Sequence, residues 1–215
     1  MIKISPSILA CDMADLKNQA KLVEDGGAEY LHVDVMDGHF VPNLSFGIGT
    51  VASLRPHTGM VLDVHLMIEN PEKYIAEFAK AGSDIITIHV EATNHIHRAL
   101  QQIRDNGCKV GLAINPGTPV SMIKEVAHLA DMILVMSVNP GFTAQKFIPD
   151  VLGKVREIRA LYPDKDIQID GGIGAGNIYE VTEAGANVIV AGAAVFYEED
   201  KAAAIKNLKD KAYKG

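Results

Sequence analysis

The sequence contains little cysteine and carries no excess of positive charge. Its 215 residues include two cysteines, Cys11 and Cys108, which lie far apart in the chain. Two separated thiols suggest neither a disulfide framework nor a cysteine zinc site, and they indicate a reducing compartment, the cytoplasm. The 20 Lys and Arg residues against 27 Asp and Glu residues give a net charge of -7. This balance provides no long-range attraction for nucleic acid or for an anionic membrane.

Long apolar runs and linker-like segments are also missing. The longest apolar run, residues 188–197, contains a glycine and is far shorter than the roughly 20 residues that span a bilayer. Low-complexity stretches are absent, and 48% of the residues are hydrophobic and 22% charged, which suits one ordinary domain with a substantial core. We therefore expect a single domain over residues 1–215 that is not held in a membrane.

Short apolar, β-branched segments alternate with longer amphipathic segments along the whole chain. The pattern predicts eight strands, at residues 3–8, 30–36, 61–67, 85–90, 109–114, 132–138, 167–169 and 188–190. It predicts seven helices, at residues 15–25, 71–81, 94–106, 120–129, 148–161, 176–184 and 201–213. Strands that are apolar on both faces and are followed by helices indicate a parallel sheet covered by helices. Eight such units in this length fit an α/β fold of the (β/α)8 TIM-barrel type better than an open doubly wound sheet.

Polar side chains interrupt three of the predicted strands. His32 and Asp34 alternate along the second strand, so their side chains share one face. His65 lies on the third strand and Asp170 directly after the seventh. Because catalytic groups of barrels lie at the carboxyl ends of the strands, we expect these four side chains to meet at one mouth. Two imidazoles and two carboxylates suit one divalent metal ion, such as zinc, manganese, iron or cobalt.

A purely structural role is the alternative for these residues, since a single histidine on a strand is more often a structural residue than a ligand. Four inward polar residues on three strands weaken that alternative, because unpaired buried carboxylates are strongly disfavoured. Asp63 is expected to have a structural or ligand-supporting role. His89 and Glu91 stay outside the predicted site, because nothing in their spacing separates pocket residues from loop-facing ones.

Small residues follow the sixth, seventh and eighth predicted strands. The loops read Asn-Pro-Gly-Phe-Thr-Ala at 139–144, Gly-Gly-Ile-Gly at 171–174 and Ala-Gly-Ala at 191–193. Backbone amides approach a ligand closely at such positions, and the loops after the last two strands bind phosphate in many barrels. Turn geometry alone would explain one glycine pair. Three clustered loops favour a phosphate site built from amides, which requires no net positive charge.

Five longer motifs occur in order along the chain. They are Ser-Pro-Ser-Ile-Leu at 5–9, Asp-Val-Met-Asp-Gly-His-Phe-Val-Pro-Asn at 34–43, Asp-Val-His-Leu-Met at 63–67, Met-Ser-Val-Asn-Pro-Gly-Phe at 136–142 and Ile-Asp-Gly-Gly-Ile at 169–173. Together they resemble the ribulose-phosphate 3-epimerase family from end to end. The resemblance implies a barrel of the ribulose-phosphate-binding type and a metal-dependent isomerase. Its reaction would interconvert D-ribulose 5-phosphate and D-xylulose 5-phosphate at C3, in the pentose phosphate pathway.

The resemblance also implies roles for individual residues. His32, Asp34, His65 and Asp170 match the family's metal ligands, and the two aspartates match its acid/base pair. The positions that match substrate contacts, including the phosphate-binding loops, are Ser7, His65, Gly141, Phe142, Thr143, Ala144, Gly171, Gly172, Gly192 and Ala193. Three further positions match methionines that line the pocket, namely Met36, Met67 and Met136.

Departures from the family pattern keep other functions open. The family usually has two glycines where this chain has Thr143 and Ala144, and a serine where it has Ala193. An epimerase for D-allulose 6-phosphate is therefore one alternative. A decarboxylase related to orotidine phosphate decarboxylase would carry an Asp-x-Lys-x-x-Asp element, which this sequence lacks. A non-catalytic sugar-phosphate sensor would not require both carboxylates and both histidines. We expect a ketose phosphate as partner and a homo-oligomer as the assembly.

Overall fold

Eight parallel strands form the centre of the structure. The computed structural model of the protein describes residues 1–213. The strands are β1 (Lys3–Ser5), β2 (Tyr30–Met36), β3 (Val61–Met67), β4 (Ile85–His89), β5 (Lys109–Ile114), β6 (Met132–Met136), β7 (Asp166–Asp170) and β8 (Val188–Val190). Their order in the sheet is β1-β8-β7-β6-β5-β4-β3-β2. The amides of Glu29 and His32 donate to the carbonyl oxygens of Ile4 (3.3 Å) and Pro6 (2.9 Å), which joins β2 to β1 and closes the barrel.

Helices surround this barrel on its outer side. Within residues 1–213 the α-helices are α1 (Leu16–Asp25), α2 (Ile48–Leu54), α3 (Ile75–Lys80), α4 (Ile96–Asp105), α5 (Leu152–Leu161), α6 (Ile178–Glu183), α7 (Ala193–Phe196) and α8 (Lys201–Lys211). Short 3₁₀ helices add Ile8–Ala10, Met13–Asp15, Arg55–His57, Pro71–Lys73, Val90–Ala92, Val120–Met122, Ala127–Leu129 and Pro149–Val151. No helix in this described part of the chain is both long enough and apolar enough to cross a membrane.

The alternation of side chains along the strands separates two buried regions. On β2, Leu31, Val33 and Val35 point outward and belong to the large apolar cluster between the sheet and the helices. His32 and Asp34 point into the barrel, where both are buried. A parallel sheet buried on both faces explains why apolar residues dominate the strands. The polar residues on the inward face are therefore the exceptions that mark a site.

The strand bounds agree closely with the sequence-based prediction. The largest difference is at β1, which ends at Ser5 and not at residue 8. Pro6 has no N–H to continue a strand ladder. The hydroxyl of Ser7 then accepts from the amide of Leu9 (3.3 Å) and begins the 3₁₀ helix Ile8–Ala10. This early end turns Ser7 toward the barrel interior, where its hydroxyl reaches Asp34 (2.6 Å).

The predicted helix at residues 120–129 is wrong, because this crossover consists of the two 3₁₀ helices Val120–Met122 and Ala127–Leu129. Its buried residues Val120, Ile123 and Val126 recur every third position. That spacing matches the three residues per turn of a 3₁₀ helix better than the 3.6 of an α-helix.

Two helices were not predicted, α2 and α7. The sequence of α2, Ile-Gly-Thr-Val-Ala-Ser-Leu, contains glycine and β-branched residues of low helix propensity. Gly47 at its N-cap supplies no side-chain hydrogen bond. Burial of Val51 and Leu54 against the barrel stabilises this helix despite its composition.

Candidate active site

Four polar side chains from three strands meet at the carboxyl end of the barrel. His32 and Asp34 come from β2, His65 from β3 and Asp170 from the last position of β7. One ligand atom from each residue lies within 4.8 Å of the others. Asp34 and His65 are direct partners in the β2–β3 register. The structure therefore brings together all four residues that the sequence suggested as metal ligands.

The distances within this cluster are those of a closely packed polar centre. His32 Nε2 lies 3.2 Å from Asp34 Oδ1 and 3.9 Å from Asp170 Oδ2. His65 Nδ1 lies 3.1 Å and 3.9 Å from the same two oxygens. Both imidazoles are fully buried, whereas the side chain of Asp170 is 16% exposed. Asp170 is thus the member of the cluster that is most open to the solvent side.

Asp63 fixes the orientation of His32 from below. Its Oδ2 lies 2.7 Å from His32 Nδ1, and it also accepts from the Ser5 hydroxyl (3.2 Å) and the Gln168 amide. Because an ionised carboxylate only accepts, His32 Nδ1 carries the hydrogen. His32 Nε2 is then left with a lone pair directed at the cluster. The predicted supporting role of Asp63 agrees with these contacts.

This arrangement fits a metal ion. His32 Nε2 is buried and has no hydrogen-bond partner in the described part of the chain, although Asp34 Oδ1 lies only 3.2 Å away. Two acceptors at this separation repel each other unless a proton or a cation lies between them. The donor set of two imidazoles and two carboxylates suits borderline divalent ions. The cluster therefore has both the unsatisfied atom and the chemistry of a metal site.

The titration behaviour of the cluster reflects burial and close charges. Burial, together with the neighbouring carboxylate of Asp34, raises the pKa of Asp170 to about 7. Burial would also raise the pKa of Asp34, but the imidazoles of His32 and His65 lower it well below its ordinary value. A divalent cation among these groups would keep both carboxylates ionised and displace protons from the imidazoles.

His32 and His65 respond to this environment in opposite directions. Burial would lower the pKa of His32, but the carboxylates of Asp34 and Asp63 raise it well above its ordinary value. For His65, burial lowers the pKa despite the nearby carboxylate of Asp34. The two rings therefore differ in how strongly the neighbouring carboxylates offset the effect of burial on the pKa.

His89 and Glu91 were omitted from the predicted site, yet His89 contacts a cluster residue. His89 Nε2 lies 2.8 Å from His65 Nε2, and His89 Nδ1 lies 3.2 Å from Glu91 Oε2. Burial lowers the pKa of His89 to about 4. The sequence signal that could have included His89 is strand alternation, which places it on the same face of β4 as Thr87.

A cleft opens directly above the cluster. It encloses about 590 Å³ of empty space including its open mouth. Every predicted substrate contact except His65 lines it, namely Ser7, Gly141, Phe142, Thr143, Ala144, Gly171, Gly172, Gly192 and Ala193. His65 is fully buried and contributes to the cluster below. The apolar part of the lining includes Met36, Met67 and Met136.

The glycines after β7 allow two loops to pack closely at one end of the cleft. Gly171 and Gly172 have left-handed φ values of 121° and 68°. A Cβ atom on Gly172 would lie 2.7 Å from both the carbonyl oxygen of Gln145 and the amide nitrogen of Phe147. A side chain at this position would push the loop after β6 away. The close packing of these loops leaves backbone groups at the cleft surface, as a phosphate site requires.

The side chains that hold these loops were not predicted from the sequence. Asn43 Nδ2 donates to the Gly141 carbonyl (2.8 Å), which connects the loop after β2 to the loop after β6. Gln145 Nε2 donates to the carbonyl oxygens of Asn139 (2.7 Å) and Phe142 (3.0 Å). Asn43 ends the longest sequence motif, which is the signal that could have identified it.

Two of the departures from the family pattern, Ala144 and Ala193, line the same cleft. Ala144 has a left-handed φ of 55°, a conformation that glycine adopts without steric cost. Ala193 begins α7 directly after Gly192, and its side chain lines the cleft. The backbone path at 144 is therefore one that suits glycine, although the residue is alanine.

The sequence is similar to known proteins over nearly its whole length. A family model described as "Ribulose-phosphate 3 epimerase family" matches residues 3–196. The chain is 49% identical over 214 residues to a protein named ribulose-phosphate 3-epimerase from Bacillus subtilis (strain 168), covering 97% of this chain and 99% of that protein. It is 48% identical over 214 residues to the Arabidopsis thaliana protein named ribulose-5-phosphate-3-epimerase, chloroplastic, covering 97% of this chain and 76% of that protein.

Solved structures share the fold at low sequence identity. A structure of KGPDC from Streptococcus mutans aligns with a TM-score of 0.77 at 13% identity and covers 98% of this chain and 97% of that chain. The 3-hexulose-6-phosphate synthase from Salmonella typhimurium aligns with a TM-score of 0.73 at 15% identity over 98% of both chains. These likenesses concern the fold alone, and the expected TIM barrel is confirmed. Because the family model and the full-length relatives cover almost the whole sequence, the chain belongs to the ribulose-phosphate 3-epimerase family.

Proposed function

We propose that the protein interconverts D-ribulose 5-phosphate and D-xylulose 5-phosphate by moving the proton at C3. One observation carries the proposal: the carboxylates of Asp34 and Asp170 reach the floor of one cleft from strands β2 and β7, which are not neighbours. Membership of the family and the names of the relatives support the same reaction. The assigned roles of individual residues are part of the proposal.

The metal ion of this proposal would be held by His32, Asp34, His65 and Asp170. A bound divalent ion, such as zinc, manganese, iron or cobalt, would stabilise negative charge on the carbonyl and hydroxyl oxygens next to C3 and so make the C3 proton more acidic. The chain's own contribution is to hold the four ligand atoms close together on three strands. Asp63 supports this by orienting His32 through a 2.7 Å contact.

Inversion at C3 requires one group that removes the proton and another that returns a proton to the opposite face. Asp34 and Asp170 fulfil this requirement because both line the cleft and come from different sides of the barrel. The hydroxyl of Ser7 donates to Asp34 Oδ2 (2.6 Å) and so orients that carboxylate. Each aspartate acts as base in one reaction direction and as acid in the other.

The apolar floor limits water around the reacting carbon. Met36, Met67 and Met136 line the cleft, and each is at most 4% exposed. Methionine side chains fill irregular space without offering hydrogen bonds that compete with the substrate. We propose that they protect the carbanion-like species at C3 from protonation by solvent.

The far end of the cleft would bind the phosphate through backbone amides. Gly171, Gly172 and Gly192 present their backbone there, and all three line the cleft. This chemistry requires no basic side chain and agrees with the net charge of -7. The proposed partner is therefore a small ketose phosphate. Location in the cytoplasm and assembly as a homo-oligomer stay predictions.

D-Allulose 6-phosphate is the second candidate substrate. Thr143, Ala144 and Ala193 all line the cleft at the phosphate end, where the family pattern usually has smaller or more polar residues. Their side chains change the shape of the phosphate end of the cleft, and therefore the length of the ketose phosphate that the cleft can hold. The candidate differs from the first in substrate length and not in the chemistry at C3.

Steady-state kinetics on the two substrates, with divalent metal added back, test this proposal. We expect a higher kcat/KM for ribulose 5-phosphate than for allulose 6-phosphate. A preference for the six-carbon substrate would replace the first candidate with the second. Absence of turnover with both substrates, in a folded metal-loaded protein, would reject the epimerase and favour a sugar-phosphate sensor.

A further inference from the structure

A series of side chains leads from the proposed metal cluster to the rim of the barrel. His65 Nε2 lies 2.8 Å from His89 Nε2, and His89 Nδ1 lies 3.2 Å from Glu91 Oε2. Both rings are fully buried and stack with their centroids 5.0 Å apart. Neither His89 nor Glu91 lines the cleft. The contact between His89 and His65 therefore connects both residues to the cluster.

The surroundings of Glu91 fix it as a hydrogen-bond acceptor. Its Oε1 accepts from the backbone amide of Asn115 (2.8 Å) and from the hydroxyl of Thr118 (2.5 Å). The loop that provides these donors is itself held by Lys154, whose Nζ donates to the carbonyl oxygens of Asn115 (2.9 Å) and Thr118 (2.7 Å). An ionised carboxylate has no hydrogen to offer, so His89 must donate to it through Nδ1.

This assignment determines the hydrogen positions on both rings. A neutral imidazole carries one N–H, and complete burial favours the neutral form of both rings. With its hydrogen on Nδ1, His89 accepts at Nε2, so His65 donates from its own Nε2. His65 Nδ1 then carries no hydrogen, so it faces Asp34 Oδ1 as one acceptor faces another, the same kind of contact that favours a cation at His32 Nε2. His65 Nδ1 lies 3.1 Å from Asp34 Oδ1 and 3.9 Å from Asp170 Oδ2.

We propose that His89 and Glu91 are positioning residues that hold His65 in the tautomer whose Nδ1 presents a lone pair to the metal ion. The proposal rests on the metal cluster of the proposed function. His89 and Glu91 would do for His65 what Asp63 does for His32. Asp63 contacts His32 Nδ1 directly and so leaves His32 Nε2 with a lone pair. Partners of this kind orient metal-bound histidines, and their loss typically lowers metal affinity by roughly 10- to 100-fold.

Metal affinity is the first measurement that tests the proposal. Co²⁺ is titrated into the metal-free full-length protein in competition with a chelator, for the wild type and for His89→Phe, which keeps a ring but removes the acceptor. We expect Co²⁺ affinity to fall by roughly 10- to 100-fold in His89→Phe. His89→Gln should restore part of it, because the amide oxygen can accept from His65 Nε2.

Thr87→Val is the matched control. Thr87 is fully buried on the same strand and on the same inward face as His89, and its hydroxyl has no hydrogen-bond partner among residues 1–213. Its replacement changes the barrel interior without touching the hydrogen bonds of His65. We expect the Co²⁺ affinity of Thr87→Val to equal that of the wild type. A loss as large as in His89→Phe would show that packing alone explains the effect.

A second measurement reads the tautomer directly and requires no metal. Long-range ¹H–¹⁵N NMR of the imidazoles in the metal-free protein distinguishes a protonated from an unprotonated ring nitrogen. We expect wild-type His65 to carry its hydrogen on Nε2, and Glu91→Gln to populate both tautomers, because an amide can donate as well as accept. Glu91 lies at the rim of the barrel, so Glu91→Gln tests the tautomer of His65 even if His89→Phe fails to fold.

The results distinguish an error in the proposed metal cluster from an error in the proposed role of His89 and Glu91. If the wild type binds no Co²⁺, the metal cluster of the proposed function is wrong. The proposed role of His89 and Glu91 in positioning a metal ligand is then wrong as well. If the wild type binds Co²⁺ and folded His89→Phe binds it equally well, only the positioning role is wrong. A wild-type His65 with its hydrogen on Nδ1 would also overturn the proposal, whatever the affinities.

Discussion

Individual residues determine the chemistry, and the two carboxylates of the cluster are the clearest case. Asp34 accepts from Ser7, and Asp170 is the cluster member most exposed to the cleft. Removing the charge of either one should abolish the proton transfer that it performs. Positioned acid/base groups contribute about 10²- to 10⁴-fold to rate.

We expect Asp34→Asn and Asp170→Asn to lower kcat for ribulose 5-phosphate by at least about 10²-fold, because an amide can neither remove nor return the proton. Stopped assays on protein that retains its circular dichroism spectrum measure this. The exposed Asp164→Asn, outside the cleft, serves as the control and should be fully active. Near-normal turnover by either cluster variant would contradict the acid/base roles.

Gly172 allows a second residue-scale prediction, at the phosphate end of the cleft. In Gly172→Ala the new Cβ atom would collide with the backbone of Gln145 and Phe147. This collision would displace the loop after β6 from the phosphate end of the cleft, and the weakened phosphate binding should raise KM by roughly tenfold. We expect kcat to change less, since the reacting carbon lies at the other end of the cleft.

Gly153→Ala provides the comparison for this variant, because a Cβ atom built on Gly153 in α5 would meet no described atom within 4 Å beyond its chain neighbours and the backbone of its own helix. Its kinetics should match those of the wild type. An unchanged KM in Gly172→Ala would mean that this loop packing does not shape the phosphate site.

How far the sequence predicts the site is also a residue-scale question. His32, Asp34 and His65 were predictable because strand alternation places them on one face, and polar residues are conspicuous in apolar strands. The function of His89 depends on which nitrogen faces which neighbour across two strands. Glu91 gains its contacts from a distant loop. Such relationships follow from the packed structure and leave no spacing pattern in the sequence.

Single elements show why strands were easier to predict than helices. Strands β2 and β3 coincide with their predicted ranges, since buried β-branched runs are distinctive. Helix α2 forms from a sequence of low helix propensity because the barrel provides a surface for Val51 and Leu54. Tertiary packing therefore decides the crossovers, and local propensity is a weak guide to them.

An ion pair between β1 and β7 allows a prediction about stability. Lys3 Nζ donates to Asp166 Oδ2 (2.7 Å) and lies near the Tyr30 hydroxyl (3.4 Å). Burial would raise the pKa of Asp166, but Lys3 and Asn187 lower it below its ordinary value. Burial would lower the pKa of Lys3, but Asp166 and Tyr30 raise it.

The directions of the two pKa shifts define the pH range over which this ion pair stabilises the folded protein. Asp166 stabilises the folded state fully above the pKa of about 3.9 that it has in the unfolded chain. This stabilisation is lost as the pH falls through the lower pKa that Asp166 has in the folded protein. The stabilisation from Lys3 is complete below about 10.4 and is lost as the pH rises through the higher folded pKa. Asp166→Asn should therefore lower the free energy of unfolding at pH 7 by roughly 1 kcal/mol, because the pair is only partly buried.

Urea denaturation of wild type and Asp166→Asn at pH 7 and at pH 3 checks this prediction. We expect the difference between the two proteins to shrink at pH 3. Equal differences at both pH values would show that the charge of Asp166 contributes nothing to the stability of the barrel.

At the scale of the whole molecule, metal binding at the cluster is coupled to the folding of the barrel. The four ligand atoms converge only in the folded barrel, so a bound ion stabilises the folded state over the unfolded one. At a free metal concentration of 1,000 times Kd the gain is about 4 kcal/mol. For a domain of this size that corresponds to roughly 8–16 °C in Tm.

We expect chelation to lower Tm by this order and added Zn²⁺ or Mn²⁺ to restore it. Differential scanning calorimetry of the full chain measures the shift, and Asp170→Asn, which lacks one ligand, should respond much less. A Tm that is identical with chelator and with saturating metal would contradict a metal site at the cluster.

Proton exchange at C3 tests the central claim of a two-carboxylate epimerase most directly. Ribulose 5-phosphate is incubated in D₂O with the metal-loaded wild-type protein, and NMR follows the C3 position. We predict that deuterium enters at C3 while xylulose 5-phosphate accumulates, and that Asp34→Asn and Asp170→Asn produce neither signal within the same time. Absence of exchange with the folded, metal-loaded wild type, or full exchange with both variants, would contradict the account.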